Sequence, residues 1–123
     1  MHELSICQNL LVQVADIAAA RGASSVARIT LELGPLCGVE PTLLARAFEI
    51  ARAGSCAAGA ELSIEIVGVS VRCVLCGAET QVIHNRMLCG ACGGYRTELI
   101  SGDEMRLRAV ELQLPEPMAL VSA

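Results

Sequence analysis

From Glu3 to Arg21 apolar residues return every three or four positions, at Cys7, Leu10, Leu11, Val14, Ile17 and Ala18, while Gln8, Asn9, Gln13 and Asp16 take the opposite side. That period predicts an amphipathic helix starting almost at the first residue, with Gly22 placed to end it. The period then drops to two. Ile29, Leu31 and Leu33 alternate with Arg28, Thr30 and Glu32, as in a half-buried strand, until Gly34-Pro35 stops it. Pro41 stands where a first helical position would be, directly after Glu40, and opens a second apolar stripe at Leu44, Ala47, Phe48 and Ala51 that Gly54 closes. Leu62, Ile64 and Ile66 alternate with Ser63, Glu65 and Val67 as a second strand. Met105, Leu107 and Ala109, alternating with Arg106, Arg108 and Val110, predict a third.

Between the second and third strands the regular pattern gives way to Cys73-Val74-Leu75-Cys76 and Cys89-Gly90-Ala91-Cys92. A stretch this short cannot bury a core of its own and needs a staple. Four thiolates on one tetrahedral Zn²⁺ supply it, because each Cys-x2-Cys turn bends the backbone until both sulfurs face one point. Gly77, Gly90, Gly93 and Gly94 suit the tight turns beside such ligands. The rival readings are a pair of disulfides and a Cys-x-x-Cys redox site. Glu79 to Leu88, between the pairs, has the composition of a short hairpin and includes His84, a further nitrogen donor that a four-cysteine site does not need.

These elements predict an α+β fold: two helices packed on a small three-stranded mixed sheet, with an inserted zinc-ribbon-like module. The expected division is an α/β domain over residues 1–70 plus 101–113, the inserted zinc-binding module over 71–100, and a flexible tail over 114–123, where Pro115 and Pro117 cannot donate to a sheet ladder.

Composition narrows the function. Hydrophobic residues make up 54% of the 123, which excludes a disordered chain. Aromatic residues are confined to Phe48 and Tyr95, so aliphatic side chains must fill the core. Nine Lys plus Arg, all of them Arg, against thirteen acids give a net charge of −4. That removes the electrostatic attraction expected of a nucleic-acid binder. No apolar run approaches a membrane span and no signal peptide is evident, so a cytoplasmic protein without a membrane partner is expected. In a reducing compartment Cys7, Cys37 and Cys56, outside the zinc set, read as small buried hydrophobes.

The chain opens Met1-His2-Glu3-Leu4. A histidine at position two can offer its ring nitrogen, its own amide nitrogen and the α-amine of Met1 to one ion in fused chelate rings. The amide of Glu3 would complete a planar set of four nitrogens, which suits Ni²⁺ or Cu²⁺ better than Zn²⁺. Taken alone, a histidine so near the terminus reads first as a solvated side chain. Glu40 has a local reading too, as an acid at the positive end of the second helix.

Met1-His2-Glu3-Leu4-Ser5, Leu31-Glu32-Leu33-Gly34 followed by Gly38-Val39-Glu40-Pro41, then Phe48-Glu49, Gly59-Ala60-Glu61-Leu62 and the two cysteine pairs stand in the order of the HypA/HybF family. The chain resembles these nickel chaperones of nickel-iron hydrogenase maturation from residue 1 to about 112. The resemblance implies a nonenzymatic protein. Nickel would be held at the amino terminus by His2, with Met1 and Glu3 beside it, and structural zinc on Cys73, Cys76, Cys89 and Cys92. It further implies a nickel-handling GTPase partner and, as recipient, the large subunit of a hydrogenase; some such proteins also serve urease. Glu40 falls within the shared pattern, where an exposed carboxylate could assist transfer or docking. Cys37, where a small polar residue is expected, and the tail from 114 depart from it. The alternative function is a zinc-ribbon adaptor binding protein or nucleic acid. A thiol oxidoreductase ranks below that, and a hydrolytic zinc enzyme lowest, since four thiolates leave no open position for water.

Overall fold

The computed structural model describes residues 2–83 and 86–115. Met1, His84 and positions 116–123 of the expected tail lie outside them. The elements follow in the order α1 (His2–Ala20), β1 (Ser25–Leu33), α2 (Pro41–Ala51), β2 (Glu61–Ile66), β3 (Val69–Cys73), β4 (Glu79–Val82), β5 (Thr97–Ser101) and β6 (Met105–Gln113). They form two three-stranded sheets, β2-β1-β6 and β4-β3-β5.

In the first sheet the Ser24 N–H donates to the Gln113 carbonyl at one end (2.9 Å) and the Gly34 N–H to the Glu104 carbonyl at the other (2.8 Å), so β1 and β6 run antiparallel. The Val67 N–H donates to the Leu33 carbonyl (3.0 Å) beyond the point where Arg28 meets Glu61 (3.3 Å), which makes β2 parallel to β1. A parallel pair needs a crossover, and α2 supplies it. The sheet is therefore mixed. The alternation along β1 is realised except at Thr30, which is buried with its neighbours. Ile29, Leu31 and Leu33 are buried, while Arg28 pairs with Glu61 and Glu111, and Glu32 with Arg106 (2.8 Å).

The chain divides into two compact units. One comprises the residues up to Thr30, Glu40–Ser63 and those from Leu107. Here the helices pack on each other through Cys7, whose thiol donates to the Leu44 carbonyl (3.5 Å). Cys7, Leu10, Val14 and Ala18 of α1 are buried, as are Leu44, Ala47 and Phe48 of α2. Burial raises the Cys7 thiol pKa, with Glu3 adding to the rise, so this cysteine is an inert core residue. Glu40 caps α2, its carboxylate accepting from the Leu43 N–H (2.9 Å).

The other unit comprises Leu31–Val39 and Ile64–Arg106. Its sheet is antiparallel throughout, with β3 in the centre and Val69, Val71 and Cys73 buried along one face. The hairpin expected between the cysteine pairs is reduced to a single bridge, Ile83 to Arg86; β4 takes its ladder from β3, whose valines offer the buried face that two short polar strands lack. Ser70 lies opposite Ser101 and Val71 opposite Leu99, which leaves Ile100 as an extra, bulged residue in β5.

Within the same unit the loop after β1 meets the turn between β5 and β6 backbone to backbone. Leu36 donates to the Gly102 carbonyl (2.8 Å), and a Cβ on Gly34 would fall on that same carbonyl. Gly102 itself has φ +123 and lies against Val69. Neither position admits a side chain without displacing backbone.

Candidate metal centres

The two cysteine turns have one construction. In the first, the Cys73 N–H donates to the Ala78 carbonyl and the Gly77 N–H to the Cys73 carbonyl; in the second, Cys89 donates to Gly94 and Gly93 to Cys89, all at 2.9 Å. Gly77 and Gly93 take φ of +75 and +72, the left-handed conformation that closes each turn. This backbone leaves amides facing sulfur. Cys76 N–H points at Cys73 Sγ (3.5 Å), while those of Ala91 and Cys92 point at Cys89 Sγ (3.3 and 3.4 Å).

The four sulfurs converge. Cys73 Sγ lies 3.6 Å from Cys92 Sγ, Cys76 Sγ lies 3.5 Å from Cys89 Sγ, and all four are within 4.8 Å of one another. Zn–S bonds of about 2.3 Å in a tetrahedron require sulfurs about 3.8 Å apart, so the donor set and its spacing fit zinc. A disulfide requires about 2.05 Å, and all seven cysteines are free thiols. The disulfide reading is thereby corrected.

The electrostatics are split within each turn. The amide of Cys92, and after it that of Ala91, pulls the Cys89 thiol down to about 6. The Cys76 amide, with Leu75 behind it, likewise lowers Cys73. Cys76 and Cys92 move the other way: the Ala78 and Gly94 amides oppose the rise, but neighbouring sulfurs outweigh them, Cys89 foremost for Cys76, which reaches about 11, and Cys73 foremost for Cys92. Fixed amides thus favour the thiolate form at Cys73 and Cys89 over that at their partners. Those two sulfurs are buried and their partners exposed.

The remaining sequence candidates lie elsewhere. His2 is the exposed first residue of α1, with Nδ1 3.7 Å from the half-buried Glu3 carboxylate. Its amide and that of Glu3 fall in the first turn of α1, whose N–H groups have no intrahelical acceptor. Cys37 is half-buried, its thiol 4.0 Å from the Val39 carbonyl, and it takes no part in the sulfur cluster; neither do Cys7 and Cys56. Among the described residues the four cysteines are the one group of this kind that could hold a metal. Sequence reasoning passed over Glu104, whose carboxylate accepts from the Gly102 N–H (2.9 Å) at the junction, because a lone acid in a turn carries no spacing signal. No described helix is long and apolar enough to cross a membrane.

Residues 1–112 match the family model described as hydrogenase/urease nickel incorporation, metallochaperone, hypA. The chain is 41% identical to the hydrogenase maturation factor HypA of Aquifex aeolicus, covering 93% of this chain and 99% of the relative. Identity to the factor of the same name from Nitrosospira multiformis is 43%, covering 91% and 97%. Among solved structures, the solution structure of a HypA protein aligns with TM-score 0.72 at 25% identity, covering 94% of this chain and 98% of that one. The solution structure of the Ni metallochaperone HypA from Helicobacter pylori aligns with TM-score 0.68 at 23% identity, covering 92% and 98%, which is a likeness of fold.

Proposed function

The chain belongs to the HypA family, metallochaperones of hydrogenase/urease nickel incorporation, and on that premise we propose that it binds Ni²⁺ at its amino terminus and surrenders it during maturation of a nickel-iron hydrogenase. The work of the family is delivery, not catalysis. The ligands in this reading are the His2 imidazole, the amide nitrogens of His2 and Glu3, and the α-amine of Met1. The observation that carries it is that α1 begins at His2. Amide nitrogens of a first helical turn have no intrahelical acceptor, so binding a metal through them costs no helix hydrogen bond. A planar nitrogen set favours Ni²⁺ over Zn²⁺ by geometry, where raw affinity alone does not separate partners in the cell. Protons compete for the same nitrogens, so binding weakens in mild acid.

In the same proposal Cys73, Cys76, Cys89 and Cys92 hold a resident zinc, which would pin the two turns together. A nickel-handling GTPase assists transfer, and the recipient is the large subunit of the hydrogenase, in the cytoplasm. Residues 1–70 plus 101–113 act as the nickel-binding domain and 71–100 as the inserted zinc module, with 114–123 as tail. Glu40 keeps its capping role and presents an exposed carboxylate for docking or transfer.

The test is a calorimetric Ni²⁺ titration of the zinc-loaded protein beginning at its native Met1, beside the same protein with one glycine added in front. Tight binding that collapses in the extended form is the expected result. Equal binding by both forms moves nickel away from the terminus. Absence of binding in both leaves an adaptor built on the cysteine module.

A further inference from the structure

A cleft of about 270 Å³ lies wholly within the cysteine unit, between the loop joining β2 to β3, the ends of β1 and β6, and the face of the β4-β3-β5 sheet opposite Val69 and Val71. Strand register makes its floor. Ser70 of β3 lies opposite Gln81 of β4 and opposite Ser101 of β5, so one polar row crosses all three strands and lines the cleft. The side chains of this row have no hydrogen-bond partner among the described residues. The ion pair of Glu32 with Arg106 (2.8 Å) forms one wall. Glu104 supplies a second acid, its carbonyl accepting from the Gly34 N–H (2.8 Å) and its carboxylate from the Gly102 N–H (2.9 Å). Both ends of that residue are fixed, and the Gly102 amide, foremost among the causes, holds the carboxyl below the ordinary carboxylate range. A Cβ on Gly68 would stand 3.8 Å from Gln81 Cδ, so glycine leaves that side of the cleft open.

We propose that this cleft receives the guanidinium of an arginine side chain carried by a partner protein. Charge selects the sign. Two carboxylates, Glu32 and Glu104, outnumber the one guanidinium of Arg106, so a cation is attracted and a phosphate or carboxylate is repelled. Size narrows the class. Small-molecule pockets run from about 300 to 1,000 Å³. At about 270 Å³ the cleft has room for one side chain and too little for a nucleotide. A metal ion suits it poorly, because Glu32 is tied to Arg106 and no third His, Cys, Asp or Glu joins the two acids among the described residues.

The spread of acceptors selects the group. Neighbouring strands stand about 4.8 Å apart, so the oxygens of Gln81, Ser70 and Ser101 are strung along a row and do not converge on one point. An ammonium presents its donors from a single atom, whereas a guanidinium presents them along a planar fork that meets Glu104 and reaches the row together. Its bond to the Glu104 carboxylate is charge-assisted, the strongest kind the cleft offers. An arginine within a chain fits better than the free amino acid. The free α-carboxylate would need a cation of its own, and Arg106 is engaged by Glu32.

The test is a titration of the isotope-labelled, full-length, zinc-loaded chain with N-acetyl-arginine amide at neutral pH and low salt, read from backbone amide chemical shifts. N-acetyl-lysine amide and free arginine are titrated beside it. The variants are Glu104→Gln, the double variant Ser70→Ala with Ser101→Ala, and Glu49→Gln on α2 as a remote control. Preserved peak dispersion establishes that each is folded, and the double variant decides the matter should Glu104→Gln fail to fold. Expected are saturable shifts at Gly68, Ser70, Gln81, Ser101 and Gly102 with a dissociation constant on the order of 1 mM. Binding should weaken about tenfold in Glu104→Gln and about threefold in the double variant, and stay unchanged in the control. The lysine compound should bind at least about threefold more weakly than the arginine one. Absence of a saturable shift up to roughly 20 mM overturns the proposal. So does equal binding of the lysine compound, tighter binding of free arginine, or binding that the Glu104 and serine variants leave intact.

Discussion

The helical unit and the cysteine unit solve the same problem by different means. In the first, Phe48, Leu44, Val14, Leu10 and their neighbours are withdrawn from water behind two helices, and each adds a share of apolar burial. In the second, the largest side chains of the cysteine turns are exposed, and what is buried at their centre is sulfur. A core made of many partial contributions tolerates damage gradually. The cysteine turns, tied through four sulfurs, would depend on the single metal proposed to join them.

That contrast is broken most forcefully by removing the zinc proposed for the four cysteines. Stripping zinc with a chelator at neutral pH, or replacing Cys89 with serine, is expected to forfeit on the order of 10 kcal/mol of coupled binding and folding. Hydrogen exchange should then show protection lost in β4 and in the two cysteine turns, with α1 and α2 still protected. Equal loss in both units would mean that the helical core depends on the module, and the comparison would fail.

The reciprocal experiment strikes the apolar core. Phe48 is 1% exposed, and Arg52 stacks 5.8 Å from its ring centroid. Phe48→Ala should cost about 3–5 kcal/mol through lost transfer energy and the cavity left behind. Its denaturation midpoint is expected to fall accordingly while the zinc content stays at one per chain. Loss of zinc along with the helices would show the two units to be one cooperative whole.

The same division governs what could be read from the sequence. Where burial organises the chain, periodicity reports it. The α1 stripe at Cys7, Leu10, Val14 and Ala18 is buried as its spacing requires, and Glu40-Pro41 marks the start of α2 to the residue. Where ligation organises it, spacing reveals the ligands and little else. The cysteines converge as Cys-x2-Cys spacing implies, yet β5 was not visible, because the bulge at Ile100 interrupts its alternation. Nor was the exchange of an internal hairpin for pairing of β4 with β3, a preference decided by Val69 and Val71 across the sheet. Gly34 and Gly102 are conspicuous as glycines, but their mutual contact spans 68 positions (102 − 34) and no local pattern encodes it.

The contact that those glycines make offers the finest probe, since it lies in the cysteine unit but outside the sulfur cluster. Glu104 accepts from the Gly102 N–H, and its carboxyl pKa lies below the ordinary 4.5, held down first by that amide and then by its own and that of Asp103. A carboxylate with a depressed folded-state pKa stabilises the fold fully above the unfolded value, and the stabilisation is lost as pH falls through the folded one. Glu104→Gln should therefore be slightly less stable than the parent at pH 7, and the gap should close as acid is added below about 4.5. Denaturant midpoints measured between pH 7 and 3 would detect it. A gap that persists unchanged at pH 3 would mean that glutamine is disfavoured by shape, and that charge contributes nothing to the turn between β5 and β6.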